Sequence, residues 1–166
     1  MDKKIFFKKI FKKIFKNKKG FGLIELLIVI AIISLLSTIA TVVYSGAKEK
    51  ARDAKRIADA KQIQTALNIY FNDKELFPIT TTTIILGTGN YFCLNGNGFG
   101  VSCDTEPIYV KLIPSAPTPP QNNQYTYASV DSGNDYQLSF VLEKINQDLG
   151  IGKNCAATKD TITCIE

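Results

Sequence analysis

Residues 26–47 run for 22 positions without a charged side chain, and that stretch limits what the rest of the chain can be. A helix of that length is roughly 33 Å long, enough to cross a hydrocarbon core of about 30 Å, so the sequence predicts a membrane-spanning helix. Cleavage as an ordinary secretory signal after Ala47, with Ser45 and Ala47 as the small residues, is excluded by length; the apolar part of such a signal is usually about 7–15 residues. Glu25 stands just ahead of the uncharged run, within the apolar segment that includes Leu23 and Ile24. A carboxylate within a membrane helix costs about 2.5–3.5 kcal/mol on insertion scales and marks a functional residue with a partner.

The charge balance agrees with this topology. Nine lysines (Lys3, Lys4, Lys8, Lys9, Lys12, Lys13, Lys16, Lys18 and Lys19) against Asp2 give the first twenty residues +8. With a formal total of +5, the remainder carries 5 − 8 = −3. Positive charge directly before an apolar span reads as a cytoplasmic flank, and a net acidic remainder argues against nucleic-acid binding by the later residues. Within residues 5–16, Phe7, Ile10, Phe11 and Ile14 share one helical face. The segment suits a basic amphipathic helix lying on an anionic leaflet, and equally a plain basic flank. The chain has no histidine and no tryptophan, which removes the usual general base and the commonest transition-metal ligand. No nucleophile–base arrangement stands out among its Ser, Asp and Glu residues, so enzymatic activity is not expected.

The basic, glycine, apolar order carries a resemblance. Lys18, Lys19, Gly20, Phe21, Gly22, Leu23, Ile24 and Glu25, followed by the unbroken run from Leu26, resemble the class III signal of type IV pilins and of type II secretion pseudopilins. The resemblance implies cleavage between Gly20 and Phe21 by a membrane-embedded prepilin peptidase, N-methylation of Phe21, and a mature chain of 166 − 20 = 146 residues. It implies that Glu25 neutralises the terminal amine of a neighbouring subunit's Phe21. Buried apart, the two charges would each be costly; buried as a pair they compensate. The partners implied are further copies of the chain in a helical filament, an assembly ATPase, a platform protein and the membrane, with no cofactor. Gly22 replaces the threonine common in relatives, and Val42 stands where many have proline. Ser34, Ser37, Thr38, Thr41 and Gly46 are weak helix formers that could soften the same region.

Beyond the span, residues 47–73 contain neither proline nor glycine, and the helix is expected to run on. Ala47, Ala51, Ala54 and Ala58 mark one stripe; Ile57, Ala60, Ile63, Leu67 and Tyr70 mark another. Charges at four-residue spacing, such as Lys55 with Asp59, read as mostly a solvated face. From Lys74 the composition turns to Thr, Gly, Asn and Pro, and loops are expected to dominate as far as the prolines Pro114, Pro117, Pro119 and Pro120. The glycine run at 96–100 has no following lysine and is not a phosphate cradle. Residues 124–130 and 135–141 alternate around Asp131, Ser132, Gly133 and Asn134, which predicts a β-hairpin.

Cys93, Cys103, Cys155 and Cys164 all follow the span, on the side exported if the N-terminus stays in the cytoplasm. Four thiols allow three connectivities; the neighbour pairing, Cys93–Cys103 and Cys155–Cys164, is the one expected, and the spacings match no compact zinc site. A second, looser resemblance covers residues 60–143. The segment 63–78, with Phe77-Pro78 where tyrosine-proline is usual, and the spaced residues Tyr125, Tyr127, Tyr136 and Leu138 look like the head of a major pseudopilin. Because such heads can hold calcium, Asp131 and Asp135 are candidate ligands, although a full set of six or more oxygens is not evident.

The reading is an α+β chain: leader 1–20, transmembrane and assembly helix 21–47, amphipathic continuation 48–73, and a small antiparallel β-sheet head 74–166. Its expected function is that of a structural subunit of a type IV pilus or type II secretion pseudopilus. It would sit in the bacterial cytoplasmic membrane with its head outside the cytoplasm before assembly, and in an envelope or surface filament afterwards. The alternative is a singly anchored surface-binding protein that never polymerises.

Overall fold

The computed structural model describes residues 22–166. Two compact units divide the chain between Tyr44 and Ser45. Helix α1 is Leu23–Lys74; residues 23–44 belong to the first unit and residues 45–74 to the second.

In the first unit α1 begins on Gly22, whose carbonyl accepts the amides of Glu25 and Leu26 at 3.0 and 3.3 Å. The apolar run that follows is interrupted only by hydroxyl residues and small ones. The hydroxyls of Ser34, Ser37 and Thr41 donate to carbonyls four residues back, and Thr38 to the carbonyl of Leu35, at 2.7–2.8 Å. Each polar side chain is satisfied within the helix itself, which an apolar surrounding requires. Ser34, Ser37, Thr38, Thr41 and Gly46, the expected soft points, are helical throughout.

In the second unit the spacing of Ala60, Ile63 and Leu67 puts all three on one face, and all are buried. The other expected stripe, Ala47, Ala51, Ala54 and Ala58, is exposed. α1 stops at Lys74; Glu75 takes a positive φ of 61° and its amide returns to the Phe71 carbonyl at 2.7 Å, a left-handed cap made without glycine. Phe77 then folds back, stacking on Phe71 at 4.7 Å and meeting Tyr136 edge-on at 4.7 Å.

The strands are β1 (Ile84–Leu86), β2 (Cys93–Asn95), β3 (Gly98–Gly100), β4 (Ile108–Val110), β5 (Tyr125–Val130), β6 (Asp135–Val141), β7 (Asn154–Ala157) and β8 (Ile162–Ile165). They form an antiparallel sheet in the order β1-β5-β6-β7-β8 and a smaller one in the order β3-β2-β4. The α+β reading, a long helix with antiparallel sheet, is the architecture found.

The hairpin expected from residues 124–141 is β5–β6, in register from Thr126 opposite Ser139 to Val130 opposite Asp135. Asp131, Ser132 and Gly133 in its connection take positive φ. A Cβ at Gly133 would come within 3.0 Å of the Phe77 carbonyl oxygen, so this position needs glycine. Alternation does the rest: Tyr125, Tyr127, Tyr136, Leu138 and Phe140 turn inward and form the core with Ile63 and Leu67.

The region after Lys74 is mostly loop, as expected, and within it lie four strands of three residues each, too short for period-two alternation to register. Residues 96–100 include the turn and outgoing strand of the β2–β3 hairpin, with Asn95 opposite Gly98. The charges at four-residue spacing are not all a solvated face: Asp59 is buried and accepts the Tyr125 hydroxyl at 3.0 Å.

Candidate assembly site

The site predicted from sequence is the start of α1 and the apolar surface behind it. Gly20 and Phe21 lie outside the described residues. Glu25 stands at the third helical position after the Gly22 cap, and its Oε2 accepts the Gly22 backbone amide at 2.9 Å. This is the side-chain half of a capping box: a carboxylate reaches back to satisfy a backbone donor that the helix cannot use. The partial positive charge at a helix N-terminus favours an anion at the same place. Glu25 therefore has a partner in its own chain, which the sequence reading did not include. Among the described residues its second oxygen, Oε1, has no hydrogen-bond partner.

Behind Glu25 the helix surface is apolar and uncovered. Leu23 is 78% exposed, Leu35 64% and Val43 65%, and the helix is long and apolar enough to cross a membrane. Among the described residues nothing buries this surface.

The second unit holds the remaining candidates. Cys155 and Cys164 face each other in the β7–β8 register with Cα atoms 4.0 Å apart and are joined; Cys93 and Cys103 are joined with Cα atoms 6.0 Å apart. The candidate calcium ligands, Asp131 and Asp135, both make local hydrogen bonds. The Asp135 carboxylate accepts the backbone amides of Tyr136 and Lys159 at 2.8 and 3.4 Å, and Asp131 is held by Asn134. Among the described residues no three His, Cys, Asp or Glu side chains gather as a metal site.

Sequence reasoning missed the densest polar cluster. Arg56 is fully buried. It donates to Asp53 at 2.5 Å, to Glu143 at 2.9 Å and to the carbonyls of Pro117, at 2.7 Å, and Pro119; its Nε is buried without a partner. Arg52 grips the same Glu143 through both carboxylate oxygens at 2.6 and 2.5 Å, a fork geometry that strengthens each bond. The Asp53 carboxylate also accepts the amides of Glu143 and Lys144 at 2.9 and 3.0 Å. Hydrogen bonds from Arg52, helped by those from Arg56, hold the Glu143 carboxyl down at about 2, against the opposing effect of burial. Burial pushes the phenols of Tyr125, Tyr127 and Tyr136 well above their ordinary value. The cluster ties α1 to the segment after β6 and to the proline-rich segment before β5. One signal for it was legible: Arg56 falls four residues before Ala60 and seven before Ile63, on the apolar stripe itself.

Comparison with known proteins bears out the resemblance at the N-terminus. Residues 15–41 match the family described as the prokaryotic N-terminal methylation motif, a span that includes Gly20, Phe21 and Glu25. The chain is also similar to type II secretion system core protein G of several bacteria. It is 32% identical to that of Aeromonas hydrophila over 65 residues, 39% of this chain and 46% of that protein. It is 35% identical to that of Escherichia coli K12 over 64 residues, 39% of this chain and 44% of that protein. Against the Vibrio cholerae protein the figure is 31% over 65 residues, again 39% of this chain and 44% of the relative. The chain thus spans less than half the length of these curated relatives. No solved structure matches it.

Proposed function

We propose that the chain is a non-enzymatic subunit of a pilus-like filament, of the type IV pilus or type II secretion pseudopilus kind. One observation carries the reading: the methylation motif at 15–41 runs into an apolar helix surface that is exposed among the described residues. Before assembly the lipid bilayer takes that surface, with the lysines of residues 1–20 on the cytoplasmic side and residues 45–166 outside the cytoplasm. Cleavage between Gly20 and Phe21 removes the lysines, and methylation keeps the new terminus a cation.

Glu25 then has two tasks, one for each oxygen. Oε2 retains the Gly22 amide, which cleavage leaves intact. Oε1 receives the Phe21 ammonium of the next copy. In a bundle of apolar helices a lone carboxylate and a lone ammonium are both unfavourable, and removing one member of a buried pair typically costs about 3–5 kcal/mol. The pair sets the axial register between copies, while the apolar surfaces supply the attraction. The machinery implied is a prepilin peptidase, an assembly ATPase and a platform protein.

The test compares the natural chain with Glu25→Leu in cells carrying such a machine. The reading requires both to enter the membrane and the natural chain to appear in sheared filaments, with Glu25→Leu depleted there by at least about tenfold. Filaments of normal length from Glu25→Leu would refute the register role. Absence of the natural chain from every filament fraction would leave a singly anchored protein instead.

A further inference from the structure

One cleft in the second unit sets three aromatic rings beside uncharged polar side chains. It lies between the segment leading into β1 and the β2–β3 hairpin, encloses about 290 Å³, and is lined by Tyr70, Tyr91 and Phe99 together with Thr81, Thr82 and Asn97. None of its lining residues is charged, although about a fifth of the chain is Asp, Glu, Lys or Arg (21%). A site without charge selects against ions, since nothing compensates the loss of their hydration.

The lining has two kinds of surface. The rings of Tyr70, Tyr91 and Phe99 are all half-buried, and Phe99 is fixed edge-on against the buried Tyr127 at 4.8 Å. They offer apolar faces that are already ordered, so little side-chain freedom is lost when a ligand covers them. Thr81, Thr82 and Asn97 are exposed at the mouth. Among the described residues the side chains of Tyr91, Thr81, Thr82 and Asn97 make no hydrogen bond. Hydroxyls and a carboxamide each donate and accept, so this rim can meet a ligand that does both. Gly98, buried with φ 102°, holds the left-handed turn of the hairpin that borders the cleft. The volume is at the lower end of the roughly 300–1,000 Å³ usual for ligand sites.

We infer that this cleft binds a neutral saccharide, one sugar ring or a disaccharide, with the carbon-bound hydrogens of a ring laid on the aromatic side and its hydroxyls bonded to Thr81, Thr82, Asn97 and the Tyr91 hydroxyl. A sugar is amphipathic in the same way as the cleft: one face apolar, the edge lined with groups that donate and accept. A proline-rich peptide also uses aromatic grooves, but it brings few donors for a rim of three side-chain types that require both roles. The inference concerns the second unit alone and holds whether or not the chain polymerises.

The test uses the full chain in lipid nanodiscs, since glycosidic detergents would compete. Glucose, galactose, N-acetylglucosamine and their neutral disaccharides are screened by saturation-transfer NMR, with sialic acid and a Pro-x-x-Pro peptide alongside. At least one neutral sugar is expected to take up saturation from the protein. Asn97→Ala and Tyr91→Phe, the second of which keeps the ring and the packing, are each expected to weaken it by roughly three- to tenfold, the worth of one or two hydrogen bonds. Gln137→Ala, in an exposed position on β6, is expected to leave it unchanged. The inference is overturned if no neutral sugar binds, if sialic acid binds as well as the neutral sugars, if the peptide binds in their place, or if neither cleft variant changes the affinity.

Discussion

Residues 23–44 and residues 57–67 lie on one helix and are both rich in Leu, Ile and Ala, yet they differ in what covers them. Leu27 and Ile33 are 52% and 56% exposed, whereas Ile63 and Leu67 are 1% and 0% exposed. The later segment shares its circumference between apolar and polar residues, and strands of its own unit cover the apolar face. The earlier segment is apolar all round, and among the described residues nothing covers it. An amphipathic face is completed by its own fold; an all-apolar one needs a membrane or other helices. The same helix therefore has two differently covered halves, one buried in the core of the second unit and one whose apolar side chains are exposed.

That contrast can be broken first at Arg56. Replacing it with Ala removes its bonds to Asp53, Glu143 and two proline carbonyls, leaving Glu143 to Arg52 alone and Asp53 to backbone amides, and breaking a buried pair in this way typically costs about 3–5 kcal/mol. Chemical denaturation of the full chain in nanodiscs, followed by tyrosine fluorescence, reads this as a lower midpoint. An unchanged midpoint would mean that the cluster is not an anchor.

Leu67→Ala is next, at about 2–5 kcal/mol for a fully buried leucine. Leu27→Ala is its counterpart in the exposed half and is expected to leave the same midpoint within experimental error. A large effect of Leu27→Ala on the second unit would erase the distinction drawn between the two halves.

Acid provides a gentler probe. Glu143 sits at about 2 in the folded chain against 4.5 ordinarily, so its contribution is complete above about 4.5 and is lost as pH falls from there toward 2. Stability measured across this window is expected to decline, and Glu143→Gln is expected to flatten the decline while lowering stability at neutral pH. An equally steep decline in the variant would assign the acid sensitivity to other carboxylates.

The smallest effect is expected at Tyr136→Phe. Its hydroxyl donates to the Thr158 carbonyl at 3.1 Å, and losing one such bond is worth about 0.5–1.5 kcal/mol. A thermal scan should show a shift of a few degrees at most.

The features legible in the sequence were those with a period or a fixed local order. The uncharged run, Glu25 before it, the stripe through Ala60, Ile63 and Leu67, and the alternation on either side of Asp131–Gly133 all announce themselves within a few turns or strands. The short strands β1 to β4 did not, because three residues cannot display an alternation. Nor did the partners of Arg56, since Glu143 lies 87 residues away and Pro117 61; only the misfit of an arginine on an apolar stripe hinted at them. Asp59 was misread as solvated for the same reason: its partner, Tyr125, comes from the far end of the sequence. At Glu25 the sequence pointed to a partner in another molecule, and the structure adds the local one, the Gly22 amide.

The most direct test of the account is the intact mass of the chain recovered from membranes of cells that also express a prepilin peptidase. The account predicts a product that begins at Phe21 and carries one added methyl group on its amine, and an uncut chain when Gly20 is replaced by a bulky residue. A natural product that still begins at Met1 would contradict it, because the ammonium proposed to meet Glu25 would never form.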